Sequence, residues 1–320
     1  MISTYWGCCR DEIGLSPPWE LVYDARTGYR AIALRRFQVG DIIVVERPLC
    51  WIHGHHPFTN KQIDEIDTVV NSLSEEKQKA FYEMANVYID DKNITAGAGI
   101  FMTNSFDMAG SPHGESCAMY CAIARLNHSC IPNAQQTHIP DTMEEVLIAS
   151  RTIEVGDEIN DCYIDLRASR NDRRDILNDL YKFDCECHAC NPVSGNLDVT
   201  LDDKRRTKAY SIDDILISVA ESDPDAAYTL ALDLIKLLES KESLQWSIRY
   251  IASAYMNAYH LANALEMKRS IIIQYLTKVY QYYRLLEGAS SPETVRVRSM
   301  LLKHGTHIDD NYVISATDRL

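Results

Sequence analysis

Asp184-Cys185-Glu186-Cys187-His188-Ala189-Cys190 places three cysteines within six residues. So tight a set cannot close a sensible disulfide framework, and in a chain with no visible secretory signal such clustering points to thiolate ligands for zinc. Zinc prefers a tetrahedron, so C-x-C-x-x-C is one ligand short. The favoured fourth is Cys130, within Asn127-His128-Ser129-Cys130-Ile131-Pro132-Asn133. His188 and Cys162 are the alternatives. A Cys130 ligand would staple two segments some fifty residues apart and make the metal part of folding. With four thiolates no coordination position stays open, so the metal is expected to be structural.

The rest of the chain bounds the class. At 320 residues it is long enough for two domains and a sizeable core. Met1-Ile2-Ser3-Thr4-Tyr5-Trp6 lacks a basic cap followed by an apolar stretch, so no secretory signal is expected. No apolar run reaches the roughly 18 residues a membrane helix needs. Ten cysteines, with Cys8 and Cys9 adjacent, suit a reducing, intracellular compartment. With 46 acidic against 32 basic residues the net charge is −14. That opposes sequence-independent nucleic-acid binding and leaves room for basic peptide partners, although acidity also serves solubility.

Composition divides the chain. Gly28–Leu34 and Gly40–Glu46 read as strands, the second a β-branched run that stops before Pro48. From Thr59 to about Asn86 the period is helical, with Ile63, Ile66, Val69, Val70 and Leu73 on one face and a fresh start at Ser74-Glu75-Glu76-Lys77. Strand patterns return at Glu145–Ser150 and Glu158–Ile164. After Asn191-Pro192-Val193-Ser194-Gly195, helices are expected near 211–221, 225–239, 243–260, 262–286 and 292–304, broken at Asp223-Pro224 and Ser290-Ser291-Pro292. Ala227, Leu230, Ala231 and Leu234 form one apolar face, and Ile248, Ile251, Ala252, Tyr255 and Tyr259 another. Helices of this length suggest a tetratricopeptide-like stack, without a clean 34-residue repeat.

Four segments, in this order, resemble the SET-domain protein lysine methyltransferases: Gly28 to Gly40, Ile123 to Asn133, Gly156 to Asp165, and Tyr181 to Cys190. Tyr163-Ile164-Asp165 after Gly156-Asp157-Glu158-Ile159, then an arginine-rich helix, then C-x-C-x-x-C, is similar to the SET and MYND-domain branch and its fungal relatives. Met102-Thr103-Asn104-Ser105-Phe106 fits that branch too. Two departures stand out. The branch normally inserts a MYND zinc finger after the first strands, whereas Pro48-Leu49-Cys50 runs almost directly into the helical stretch, and His53, His55 and His56 cannot rebuild that finger without cysteines. The family's opening motif is usually G-x-G, whereas here it is Gly28-Tyr29-Arg30.

The resemblance implies an α+β fold: a β-rich SET domain (residues 1–52 and 101–166) with a helical insertion (53–100), a zinc-bound post-SET segment (167–192) and an all-helical, tetratricopeptide-like C-terminal domain (200–320). It implies methyl transfer from S-adenosylmethionine to a lysine ε-amine of a protein or peptide, histone or non-histone. Gly28, Tyr29, Arg30, Asn104, Asn127, His128, Tyr163 and Phe183 are implied cofactor contacts. Tyr163 is the implied catalytic residue, Tyr181 lines the substrate channel, and Cys130, Cys185, Cys187 and Cys190 hold one structural zinc. Glu158 and Asp165 are expected to accept hydrogen bonds that fix loops. Methyl transfer requires a neutral amine, which an apolar channel favours, and acceleration by positioning and desolvation. The expected protein is monomeric, with no direct nucleic-acid or membrane binding. The rival reading is a catalytically silent SET scaffold that binds peptides or partner proteins.

Overall fold

The computed structural model describes residues 17–54, 58–108, 110–111, 113–191, 198–241 and 243–306. Cys8, Cys9, His55, His56 and the residues after 306 lie outside this set. The chain forms two compact units. The first contains the described residues up to Asn127, with Gln136–Asp161 and Asn178–Phe183. The second contains His128–Gln135, Cys162–Leu177 and the described residues from Asp184 onward.

In the first unit, β1 (Trp19–Asp24) pairs antiparallel with β2 (Gly28–Ala33), Val22 opposite Arg30 and Asp24 opposite Gly28. The turn closes because Asp24 Oδ1 accepts the amides of Arg26 and Thr27 at 2.8 and 3.2 Å, and Gly28 takes φ 74, where a side chain would be strained. β3 (Ile42–Glu46) and β4 (Cys50–His53) follow. Next come α1 (Asn60–Asn71), α2 (Glu75–Tyr82) and α3 (Ala96–Asn104). Thr59 and Gln62 build a capping box at α1, and Ser74 caps α2 at the position its sequence suggested. Ile66 and Val70 are fully buried, with Ile63, Val69 and Leu73 packed around them. Together with Ile52, Phe81, Phe101 and Met119 they make the core beneath the helical insertion. β5 (Ser105–Asp107) and β6 (Ser116–Met119) complete a sheet in the order β4-β6-β5.

A 3-10 turn at Ile123–Arg125 leads to β7 (Asn127–His128), within which the boundary between the units falls. Buried Glu46 anchors that turn, its carboxylate accepting the amides of Ala122 at 2.9 Å and Ile123 at 3.1 Å. β8 (Ala134–Ile139) and β9 (Glu144–Ala149) extend a sheet with β3 at its edge, in the order β3-β9-β8. The expected strand over Glu158–Ile164 is shorter than its alternation suggested. Glu158 bridges Ile32, only Asn160–Asp161 form β10, and Tyr163 sits at a bend beyond it. The ladder ends there because the Tyr163 amide is taken by a side chain.

α4 (Arg170–Tyr181) is followed by Lys182, whose φ of 58 ends the helix. The second unit then carries α5 (Val199–Val219), α6 (Pro224–Leu238), α7 (Leu244–Ala264), α8 (Arg269–Glu287) and α9 (Pro292–Lys303), each packed on its neighbours in sequence. Asp223 and Ser291 cap α6 and α9 with proline at the first turn. Three boundaries differ from expectation. α5 starts at Val199 rather than near 211, because its buried face carries Asp202 and Arg206 and so hides the apolar period. α7 runs on to Ala264 and α8 starts only at Arg269, since the break is at Glu266, with φ 50, and not near residue 261. Among the described residues no helix is long and apolar enough to cross a membrane.

Candidate functional site

The first unit holds Gly28, Tyr29, Arg30 and Asn127 together. Amides from β2 and the segment before β10 interlock, with Ile159 N–H donating to the Ala31 carbonyl at 2.8 Å and Ala33 N–H to Asp157 at 2.9 Å. This ladder brings Glu158 to Arg30, whose Nε donates to Oε2 at 2.7 Å. The Asn127 Nδ2 donates to Glu158 Oε1 at 2.9 Å and to the Tyr29 carbonyl at 3.0 Å. Glu158 therefore accepts from two of the implied cofactor residues.

Asn104, at the end of α3, is buried, and its Nδ2 donates to the carbonyls of Ala85 and Ile100 at 2.8 and 2.7 Å. Those bonds use both amide hydrogens on the fold, which leaves Oδ1 as its side-chain acceptor. Tyr181 and Phe183 are half-buried on either side of Lys182. Burial, followed by the charges of Tyr88 and Asp107, raises the Tyr181 phenol above its ordinary value.

In the second unit the sulfurs of Cys130, Cys185, Cys187 and Cys190 all lie within 4.8 Å of one another. Cys130 Sγ is 4.0 Å from that of Cys185 and 3.5 Å from that of Cys190. A tetrahedron with metal–sulfur bonds of about 2.3 Å has edges of about 3.8 Å, so the four sulfurs fit a zinc-sized ion. The chain supplies Cys130 to this group; His188 is exposed and Cys162, though buried, stands outside it. The Cys187-to-Cys190 turn is closed by the Cys190 amide on the Cys187 carbonyl at 2.8 Å. Hydrogen bonding to Cys185, Cys187 and Cys190, and then burial, pushes the Cys130 thiol well above its ordinary value. Four thiols this close, three of them buried and Cys187 partly so, can shed all their protons only if a cation replaces them.

His128 connects this cluster to Tyr163. The Tyr163 backbone N–H donates to Nδ1 at 3.0 Å, and Nε2 lies 3.3 Å from Cys130 Sγ. A backbone N–H can only donate, so Nδ1 is unprotonated and Nε2 carries the hydrogen toward sulfur. Burial, reinforced by Arg173 and Arg206 against an opposing pull from Cys187, drives the His128 pKa down to about 4. The ring is therefore neutral at neutral pH. The Tyr163 ring stands beside it, centroids 5.3 Å apart.

The sequence reading missed two arginines. Arg173, fully buried on α4, donates from Nε to Cys130 Sγ at 3.3 Å. Arg206, equally buried on α5, pairs with Asp202 at 2.7 Å and donates to the carbonyls of Leu166 at 2.8 Å and Cys130 at 3.0 Å. Trp246 Nε1 holds the other Asp202 oxygen at 3.0 Å. On the same loop, the Tyr250 hydroxyl accepts the Leu166 amide at 2.8 Å and donates to Asp165 at 2.9 Å. Within this unit, α5 and α7 thus grip the segment that follows Tyr163. The only sequence signal was the Asp202–Arg206 spacing, which is commonplace on solvated helices.

The model of the SET domain matches residues 28–164. Histone-lysine N-methyltransferase set5 of Schizosaccharomyces pombe is 30% identical over 183 residues, 57% of this chain and 53% of that protein. Human histone-lysine N-methyltransferase SMYD3 is 26% identical over 156 residues, covering 44% of this chain and 36% of its own length. Chicken protein-lysine N-trimethyltransferase SMYD5 is 28% identical over 168 residues, 51% of this chain and 34% of that protein. The chain thus spans about half or less of these relatives' lengths. Residues 28–164 are a SET domain, with set5 and the SMYD methyltransferases among its relatives.

Proposed function

We propose that this protein transfers methyl groups from S-adenosylmethionine to the ε-amine of a lysine in a protein substrate. The observation that carries the reading is the His128 link, which ties the Tyr163 backbone to the Asn127-His128 segment of a SET domain. S-adenosylmethionine, when bound, supplies an electrophilic methyl group on a sulfonium. Asn127 and His128 would hold it with Gly28, Tyr29, Arg30, Asn104 and Phe183, the open face at Gly28 letting the backbone approach. The Tyr163 hydroxyl would orient the attacking amine and stabilise charge as it redistributes. Tyr181 would line the passage in which the lysine sheds its proton. Cys130, Cys185, Cys187 and Cys190 would hold one zinc, which fastens residues 185–190 to residue 130 and takes no part in the chemistry. Names such as histone-lysine and protein-lysine methyltransferase among the relatives support a protein substrate. We assign the protein to an intracellular compartment as a monomer.

Calorimetric titration with S-adenosylmethionine tests the reading. The wild type binds, and Asn127→Ala and Phe183→Ala bind more weakly without unfolding, because each would remove one contact to the cofactor. Unchanged affinity in both variants overturns the assignment. A folded wild type that binds no cofactor favours the silent scaffold instead.

A further inference from the structure

Arg30 stands where the resembling family carries glycine. Its φ lies outside the left-handed region, so the backbone there has no need of glycine, unlike Gly28 at φ 74. The direction of its side chain follows from the strand. Ala31 and Ala33 are buried at 0% and 1% exposure, so Arg30 and Ile32 share the opposite face of β2. Ile32 is bridged to Glu158, which puts the carboxylate diagonal to Arg30 on that face. The contact is a close one, Nε to Oε2 at 2.7 Å.

The other oxygen of Glu158 is the one that holds Asn127. Both acceptors of the Asn127 amide nitrogen, Glu158 Oε1 and the Tyr29 carbonyl, lack hydrogens. The carboxamide therefore has one sensible orientation, with Nδ2 committed to them and Oδ1 left as a pure acceptor. A pure acceptor suits an ammonium group, such as the one on the methionine part of the cofactor. We propose that Arg30 is a positioning residue, which clamps Glu158 so that the Asn127 carboxamide is held with Oδ1 available to that ammonium. The inference rests on the methyltransferase reading. Where glycine supplies room, this chain supplies a charged clamp, and restoring glycine loosens the contact instead of improving it.

The test uses ¹⁵N-asparagine-labelled full-length protein without cofactor, with the Asn127 side-chain NH2 signal assigned by its loss in Asn127→Ala. Arg30→Gly shifts or broadens that signal, and Arg30→Lys, which keeps the charge but not the Nε geometry, falls between it and wild type. In calorimetry Arg30→Gly binds S-adenosylmethionine about fivefold more weakly, the scale of one hydrogen bond's net contribution, with partial rescue by lysine. Arg30 is 37% exposed, so raising the salt concentration weakens wild-type binding in the same direction. If Arg30→Gly melts early, the lysine variant and the salt titration carry both readouts. An unchanged Asn127 signal in Arg30→Gly overturns the clamp, as does equal or tighter cofactor binding. A wild type that binds no cofactor overturns the methyltransferase reading instead, and the NH2 signal still decides whether Arg30 holds Asn127.

Discussion

The imidazole of His128 holds the backbone of Tyr163, its Nδ1 accepting the Tyr163 N–H at 3.0 Å, while its Nε2 reaches Cys130 Sγ at 3.3 Å. One neutral side chain therefore couples the thiol cluster to the residue proposed to orient the amine. Any change that lets Tyr163 drift acts on positioning, where a displacement of about 1 Å can cost on the order of a hundredfold in rate. His128→Ala removes both bonds. His128→Asn keeps an acceptor near the Nδ1 position and gives up the contact to sulfur and the ring beside Tyr163. Steady-state assays should rank wild type above His128→Asn and His128→Asn above His128→Ala. Equal turnover in the alanine variant contradicts this coupling.

Zinc content checks the cluster. Purified protein should contain one zinc per chain, and Cys187→Ser should lose it. Because Arg173 and His128 both meet Cys130, loss of the metal should also lower cofactor affinity. Elemental analysis alongside calorimetry reads both effects. A folded, cofactor-binding preparation without zinc contradicts the assignment.

Arg206 carries the largest expected effect on stability. Arg206→Met leaves the Asp202 carboxylate buried without its cationic partner, though still held by Trp246, and takes donors from the carbonyls of Leu166 and Cys130. Removing one partner of a buried ion pair typically costs about 3–5 kcal/mol. Urea unfolding should show a loss of that order, with Asp202→Asn intermediate. A loss below about 1 kcal/mol, typical of surface changes, contradicts a structural role for the pair.

Glu287 predicts a pH dependence of stability. Burial pushes its pKa up to about 7, against the lowering effect of the Ser291 hydroxyl and with Glu293 adding to the rise. The folded state therefore holds this proton more tightly than the unfolded chain does. That stability is fully present below the ordinary carboxyl pKa of about 4.5 and is lost as pH rises through about 7. Glu287→Gln cannot ionise, so its melting temperature should gain on wild type between those values by a few degrees and then run parallel. A constant difference across pH 4.5–8 contradicts this.

How far the chain could be read depended on what each signal required. Thiolate clustering specifies metal chemistry almost without context, so the Cys185–Cys190 run and its Cys130 partner were legible, and the sulfurs do gather. The apolar faces of α1, α6 and α7 were legible for the same kind of reason, since Ile66, Val70, Ala227 and Ile251 recur at helical spacing and are buried. α5 was partly hidden because its core face includes Asp202 and Arg206, charges that only tertiary partners make tolerable. The strand assigned around Tyr163 failed on a side-chain contact, His128 across 35 positions of chain. Arg30 was legible only as a departure from G-x-G, because its partner, Glu158, lies 128 positions away.

Tyr163→Phe tests the central claim most directly, since it removes one oxygen and should leave fold, zinc content and cofactor affinity nearly intact. The assay supplies labelled S-adenosylmethionine and a cell extract as a pool of lysine-containing proteins. Loss of one polar group acting at the reacting centre commonly lowers the rate on the order of a hundredfold or more. The account predicts that wild type labels protein, that Tyr163→Phe labels it far more slowly, and that both titrate normally with cofactor. Equal labelling by the two proteins would show that Tyr163 only fills space, and would contradict the mechanism proposed for this SET domain.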